Sequence, residues 1–505
     1  MATNDPIRPG RSEAPVYRQI ASSIRDRIEA GELLPGAQLS PIRTLADELG
    51  VNRDTVSLAY DQLQTEGWVE STVGRGTFVA QRRCNPPSGE PVALALAEPI
   101  DNLLAYENAR PRFSGGPDIV GLHKLIPDPA LYPAEAFRRA LHKVLGDTGP
   151  ELLLYGGPQG HPGLREVIAE RLNAAGQPTP PDDLVLCHGA SQGIGLALRL
   201  FAEAGDVVAV EVPTYSNVLS TLVALGVRAE GVAMRRVEEA GGYEPDLDAV
   251  DRALARPEVR AFYTIPTFHN PLGTSTSLEH RRELLAIAAR HGKPIIEDSF
   301  EMDLRYEGRA VPSLAALDES GLVVQLCSFS KSLFPGVRAG ALVARGRAVE
   351  ALVTLKHATD LSDSMPLQAA LAELVKSGAY DRHLSKLRRE LKLRRDALLG
   401  ALAAQMPEGT TWTTPQGGYQ LWVELPEEPF EIDTRDLLAD AARAGVLFQP
   451  GSQFLVDRRA SRGLRLTVAQ ADAPAIERGI ETLGRVVRAR FNEDRAVTQA
   501  AAVNL

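Results

Sequence analysis

From about residue 118 onward, short apolar runs alternate with amphipathic segments, and this alternation decides the architecture. DLVLCHG is followed by ASQGIGLALRLFAEAG; then come DVVAVEVP, RAFYTIPTF, RRELLAIAARHG and KPIIEDSF. Runs that are apolar along their whole length belong to strands covered on both faces, and a helix between successive strands supplies the crossover. A mostly parallel sheet flanked by helices is the expected result. After about residue 345 the chain turns helical through LSKLRRELKLRRDALLGALAAQ. It closes with strand-like GGYQLWVELP and GLRLTVAQ around TRDLLADAARAG, which predicts a smaller α+β subdomain over about 345–485.

A chain of 505 residues is too long for one core. Residues 12–80 read as a first, separate unit, and QRRCNPPSGEP opens a Pro- and Gly-rich linker over 81–117 before the domain at 118–485. The formal charge of −10 excludes a wholly basic nucleic-acid or membrane-surface protein, but a net figure does not exclude a local basic face. Cys84, Cys187 and Cys327 share no metal-ligand spacing and read as reduced thiols, with no metal site. The start MATNDPIRPGRSEAP has no apolar core and no run of about 18 apolar residues follows, so a cytoplasmic protein without membrane partner is expected.

IRTLADELGVNRDTVSLAY, residues 42–60, has the pattern helix, tight turn, helix. Leu45, Ala46 and Leu49 share a face, Gly50 permits the turn, and Asn52 caps the next helix. Arg53 and Thr55 then stand at the N-terminal end of a recognition helix, with Arg43 placed for a phosphate. GWVESTVGRGTFV reads as a β-wing that carries Arg75 at its tip. Residues 1–83 hold ten basic against eleven acidic side chains, so double-stranded DNA binding rests on where Arg43, Arg53 and Arg75 lie. The stretch PVYRQIASS to GRGTFV resembles the winged helix-turn-helix of GntR-type regulators over its whole length. The family's Leu-Pro-Ser is here Leu39-Ser40-Pro41.

SFSKSLFPGVRAG, residues 328–340, sets Lys331 among hydroxyls with Arg338 downstream. Alone it is a polar loop. Upstream strand ends supply what a pyridoxal phosphate site requires. Gly189, Ala190 and Ser191 open a helix, and with Ser328 and Arg338 they suit a phosphate. Tyr215 in PTY offers an aromatic face to the ring. Asp298 offers a carboxylate to the ring nitrogen, and Asn270 in HNPLG a donor to the phenolic oxygen. Lys331 then takes the aldehyde. All these groups fall at strand ends of one α/β domain, where ligands of such sheets bind.

Residues of about 118–485 resemble fold type I aminotransferases, and the fusion of both units resembles the MocR subfamily of GntR-type regulators. The resemblance is carried by YGGPQGHPGLRE, GASQGIG, PTY, HNPLG, IIED, SFSKSLFPGVRAG and GLRLTVA. It implies that Tyr155 reaches the cofactor phosphate of a partner subunit, hence a homodimer with shared sites. It also implies that Arg465 clamps the α-carboxylate of an amino-acid or amine effector. Three positions depart from the pattern: Phe300 replaces a Tyr, Leu125 a small Gly, and His161 an aromatic Tyr. The expected function is a DNA-binding transcriptional regulator that holds pyridoxal phosphate as an aldimine on Lys331 and senses an amino-bearing effector, or the cofactor itself. The alternative is a working aminotransferase with a DNA-binding appendage, and the absent hydroxyl at Phe300 counts against it.

Overall fold

The computed structural model describes residues 15–72, 76–80, 94–110, 119–237, 242–427 and 432–503. They form two compact units, divided between Ala95 and Leu96.

In the first unit, α1 (Val16–Glu29), α2 (Ile42–Leu49) and α3 (Arg53–Thr65) precede a hairpin of β1 (Val69–Thr72) and β2 (Gly76–Val79). Ile20 and Ile24 of α1, Leu45 and Ala46 of α2, and Val56, Ala59 and Leu63 of α3 are buried together. The hairpin adds Val69 and Val79, which face each other across its antiparallel register. Burying each such branched side chain contributes about 1.5–3 kcal/mol against the chain's ordering entropy. Gly50 takes φ 64° at the end of α2, the left-handed conformation its missing Cβ makes inexpensive. Arg75 lies outside the described residues.

The second unit begins earlier than the spacing of turn residues implied. Inside the expected linker 81–117 the chain forms α4 (Glu98–Asn108), which packs on the helix Ser216–Leu225. Arg110 donates to Ser220 Oγ at 2.6 Å and to the Ser216 carbonyl at 3.1 Å. The Arg458 guanidinium lies over the Tyr106 ring at 3.4 Å. The helix starts as an acidic first turn with Pro99, a favourable opening for one. Residues 81–93 and 111–118 of that linker lie outside the described ones.

Beyond β3 (Val120–Gly121), the central sheet takes β4 (Leu184–Cys187), β5 (Val207–Val212), β6 (Arg228–Val237), β7 (Gly242–Pro245), β8 (Val259–Thr264), β9 (Ile295–Ser299), β10 (Val323–Ser328) and β11 (Gly340–Val343). Its order is β4-β11-β10-β9-β8-β5-β6-β7. β10, β9, β8, β5 and β6 run parallel in succession, while β11 is antiparallel to both its neighbours, so β4 also points their way. β4, β5, β9 and β10 are almost wholly buried, as expected for strands covered on both faces. Six carboxyl ends therefore open on one edge of the sheet. In the smaller subdomain Gln420–Glu424 pairs antiparallel with Gly463–Thr467, which sets Trp422 opposite Arg465. The long helices Ala379–Gln405 and Ala473–Val503 pack on each other beside it. No helix of the described residues is long and apolar enough to cross a membrane.

Candidate functional site

At that edge a cavity of about 120 Å³ is enclosed by residues from five strand ends. Ala190 and Ser191 follow β4, Tyr215 follows β5, Asn270 follows β8, Asp298 closes β9, and Ser328 and Lys331 follow β10. Arg338, before β11, lines it too. Eight of the residues proposed from sequence are thus neighbours. Leu125, Phe300, Ser330 and Pro335 complete the wall.

One end of the cavity is built from backbone. Gly189 precedes the helix Ala190–Phe201 with φ 74°, and a Cβ there would stand 3.1 Å from Arg338 Nη1. Only glycine leaves this turn open to a bulky anion beneath the guanidinium. Arg338 itself has φ 44° and donates through Nη2 to the His188 carbonyl at 2.6 Å, which aims it across the turn. Ser330, unassigned by the sequence reading, offers a buried hydroxyl oxygen with no hydrogen-bond partner.

At the opposite wall Asp298 is 1% exposed. Its Oδ2 accepts from the buried Tyr263 hydroxyl at 2.7 Å, whereas Oδ1 is buried without a partner. Burial pushes this carboxyl up to about 7, against the Tyr263 and Phe300 donors that hold it down. An orphaned carboxylate oxygen in the interior costs on the order of 1–3 kcal/mol unless a donor arrives. A protonated pyridine nitrogen is such a donor, so the residues present fit pyridoxal phosphate at both ends.

Lys331 Nζ donates to the Leu125 carbonyl, so the residue that replaces the usual glycine holds the lysine's tip through its backbone. Burial pushes the Lys331 ammonium down, Glu301 opposes that shift, and Arg465 and Arg338 add to it. Arg465 reaches the site from the small subdomain. Its Nη1 donates to Asn270 Oδ1 at 3.0 Å and its Nη2 to the His123 carbonyl at 2.7 Å, leaving Nε buried and unpaired. Burial lowers this guanidinium to about 10. Because Asn270 presents its oxygen to Arg465, its amide nitrogen is left to donate elsewhere.

Other predicted positions stand apart. Tyr155 is 85% exposed, beside Leu153 and Leu154, themselves exposed, and lies away from this cavity. His161 caps the helix Pro162–Ala174, its Nδ1 accepting from Leu164 N at 3.2 Å, and takes no part in the site. In the first unit Asn52 caps α3 by accepting from Asp54 N at 3.3 Å. Arg43 and Arg53 are exposed near the starts of their helices, and Thr55 is half-buried. Pro41 sits at the start of α2, which therefore has no side-chain cap, a consequence of the swapped Ser40 and Pro41.

Comparison with known proteins adds to this geometry. The profile of aminotransferases of class I and II matches residues 128–483, and that of bacterial regulatory proteins of the gntR family matches residues 16–79. An uncharacterized HTH-type transcriptional regulator of Bacillus subtilis, YisV, is 30% identical over 488 residues, covering 95% of this chain and 97% of its own. The probable rhizopine catabolism regulatory protein MocR of Rhizobium meliloti is 28% identical over 477 residues, 94% of each chain. Among solved structures, the α-aminoadipate aminotransferase LysN of Thermus thermophilus, complexed with N-(5'-phosphopyridoxyl)-L-leucine, superposes with a TM-score of 0.67 at 30% identity. That match covers 78% of this chain and 95% of LysN.

Proposed function

We propose, from the premise that this chain belongs to the GntR-type regulators with an aminotransferase class I and II domain, the MocR subfamily, that Lys331 carries its cofactor and Arg465 its effector. It is a DNA-binding transcriptional regulator whose large domain takes pyridoxal phosphate. Bound there, the cofactor offers amines an aldehyde and, behind it, an electron-withdrawing pyridinium ring.

The chain's residues divide the remaining work. Gly189, Ala190, Ser191, Ser328 and Arg338 hold the phosphate, Tyr215 covers the ring, and Asn270 donates to the phenolic oxygen. Asp298 Oδ1 keeps a proton on the ring nitrogen, and this buried, unpartnered oxygen is the observation that carries the reading. Arg465 releases Asn270 and the His123 carbonyl to take a ligand carboxylate in bidentate fashion. The effector is an amino acid or related amine.

Exposed Leu153, Leu154 and Tyr155 support a homodimer in which Tyr155 reaches the partner's phosphate. Arg43, Asn52, Arg53, Thr55 and Arg75 form the DNA face, and a DNA target makes the protein cytoplasmic. To the DNA-binding domain we assign 12–80, to the linker 81–117 and to the large domain 118–485, with α4 packed on the last.

A visible absorption titration tests it. Protein loaded with pyridoxal phosphate is mixed with a panel of amines, beside Lys331→Ala. A lysine-dependent band that one amine moves and keeps moved identifies a receptor. A wild type spectrally identical to Lys331→Ala defeats the assignment. Decay of the band with its restoration by a keto acid instead makes the domain a transaminase.

A further inference from the structure

One buried carboxylate beside this cavity has no part in holding the cofactor. Glu301 lies two residues beyond β9 and is 1% exposed, and neither of its oxygens makes a well-formed hydrogen bond. Gln420 and the Tyr419 backbone are its nearest dipoles. A carboxylate so poorly solvated is strongly disfavoured unless a cation compensates. The surroundings show which cation it faces. A Cβ on Gly418 would stand 2.4 Å from Glu301 Oε2, and Gly418 has φ 75°, so the chain passes directly against the carboxylate. The next residue, Tyr419, donates its hydroxyl to the Lys331 carbonyl at 2.7 Å. Residues 418 and 419 therefore bridge Glu301 and Lys331.

The charges around the lysine are otherwise positive. Arg338 stands on the phosphate side and Arg465 on the effector side, and both favour loss of a proton from Lys331. Glu301 faces Lys331 and Arg465, with the hydroxyls of Tyr306 and Tyr419 also near it. The phosphate offsets Arg338 and an effector carboxylate offsets Arg465, but neither offsets the lysine.

We propose that Glu301 is a positioning residue that acts through Lys331, as the counter-charge that holds a proton on the lysine nitrogen. Burial opposes this charged pair, raising the Glu301 carboxyl and lowering the Lys331 ammonium, and the attraction between the two works against it. This inference rests on Lys331 as the cofactor's lysine.

The test is a pH titration of the visible spectrum of protein loaded with pyridoxal phosphate, for wild type, Glu301→Gln and Glu301→Asp. Removing an adjacent opposite charge moves a titration by roughly 1–3 units. The Gln variant is therefore expected to lose the protonated-nitrogen band at a midpoint at least about one pH unit below wild type, with the Asp variant in between. A merely structural glutamate would change melting temperature or cofactor retention but leave the midpoint in place. Coincident midpoints in wild type and Gln overturn the inference while the assignment of Lys331 stands. If wild type shows no lysine-dependent band, both fall. Should the Gln variant fail to take the cofactor, the Asp variant decides alone: an unmoved midpoint overturns the proposal and a lowered one supports it.

Discussion

The proposed cofactor site turns on Asp298, and its environment makes a prediction with a definite sign. Burial raises its carboxyl from 3.8 to about 7 in the folded chain. Between those values the folded state binds more protons than the unfolded one, so apoprotein stability falls as pH climbs through that window. Asp298→Asn removes the charge and keeps an acceptor for Tyr263. The variant apoprotein is expected to be more stable than wild type at pH 8, by on the order of 3 kcal/mol, with the gain vanishing toward pH 4. Its affinity for pyridoxal phosphate should fall at least about tenfold, since the ring nitrogen loses its ionic partner. Melting curves at the two pH values, with a cofactor titration, read both effects, and equal stability gains at both would refute the burial argument. Asp298 was legible in the sequence because it ends the apolar run KPIIED at a strand terminus. Tyr263, Ser330 and Glu301 were not. A tyrosine inside RAFYTIPTF reads as one more apolar strand residue, and only the pairing of β8 with β9 brings its hydroxyl to a carboxylate 35 residues away. Glu301 had no periodic or motif signal at all, because its counterpart is supplied by a different strand end.

At the scale of the element, the proposed function gives two helix starts a role, and each yields a measurement. The turn at Gly189 requires positive φ and open space beneath Arg338. Gly189→Ala pays the left-handed strain of about 1–2 kcal/mol and crowds the guanidinium, so cofactor affinity should drop about tenfold or more with little change in fold. An unchanged affinity by equilibrium dialysis would place the phosphate elsewhere. In the first unit Arg53 opens α3 beyond the Asn52 cap and is exposed. Arg53→Ala should weaken binding alike for specific and nonspecific DNA and reduce the slope of log affinity against log salt by about 1. A loss confined to one DNA sequence would instead make Arg53 a base reader. The helix pair and hairpin were legible from Gly50, Asn52 and the spacing of Leu45, Ala46 and Val56, since local turn chemistry and one apolar face suffice to specify them. α4 was not, although Pro99, its acidic first turn and the spacing of Ile100, Leu103 and Leu104 were available, because none of its residues is fully buried and the period spans little more than one turn. Its anchors, Tyr106 and Arg110, act through partners more than a hundred residues away.

For the whole molecule, regulation requires that the large domain and the DNA head share one equilibrium, whatever the contacts that join them. An amine that merely binds Lys331's cofactor tightly changes nothing at the operator; it must bind two arrangements of the protein unequally. Linkage then makes a prediction that no detail of geometry can evade. If the effector changes operator affinity by some factor, saturating operator DNA must change effector affinity by the same factor, typically about 5–150-fold for 1–3 kcal/mol of coupling. Fluorescence anisotropy on labelled operator, with and without effector, gives the first number; the visible band titrated with effector, with and without operator, gives the second. Lys331→Ala, which leaves the DNA face untouched, should bind operator like wild type without effector and ignore the effector altogether. An amine that shifts the band but leaves operator affinity constant would separate the two units functionally and return the large domain to the status of an enzyme. Equal factors in the two directions would instead make the band itself a reporter of DNA occupancy, since the same free energy that the effector spends on moving the heads is recovered in the colour of its own site.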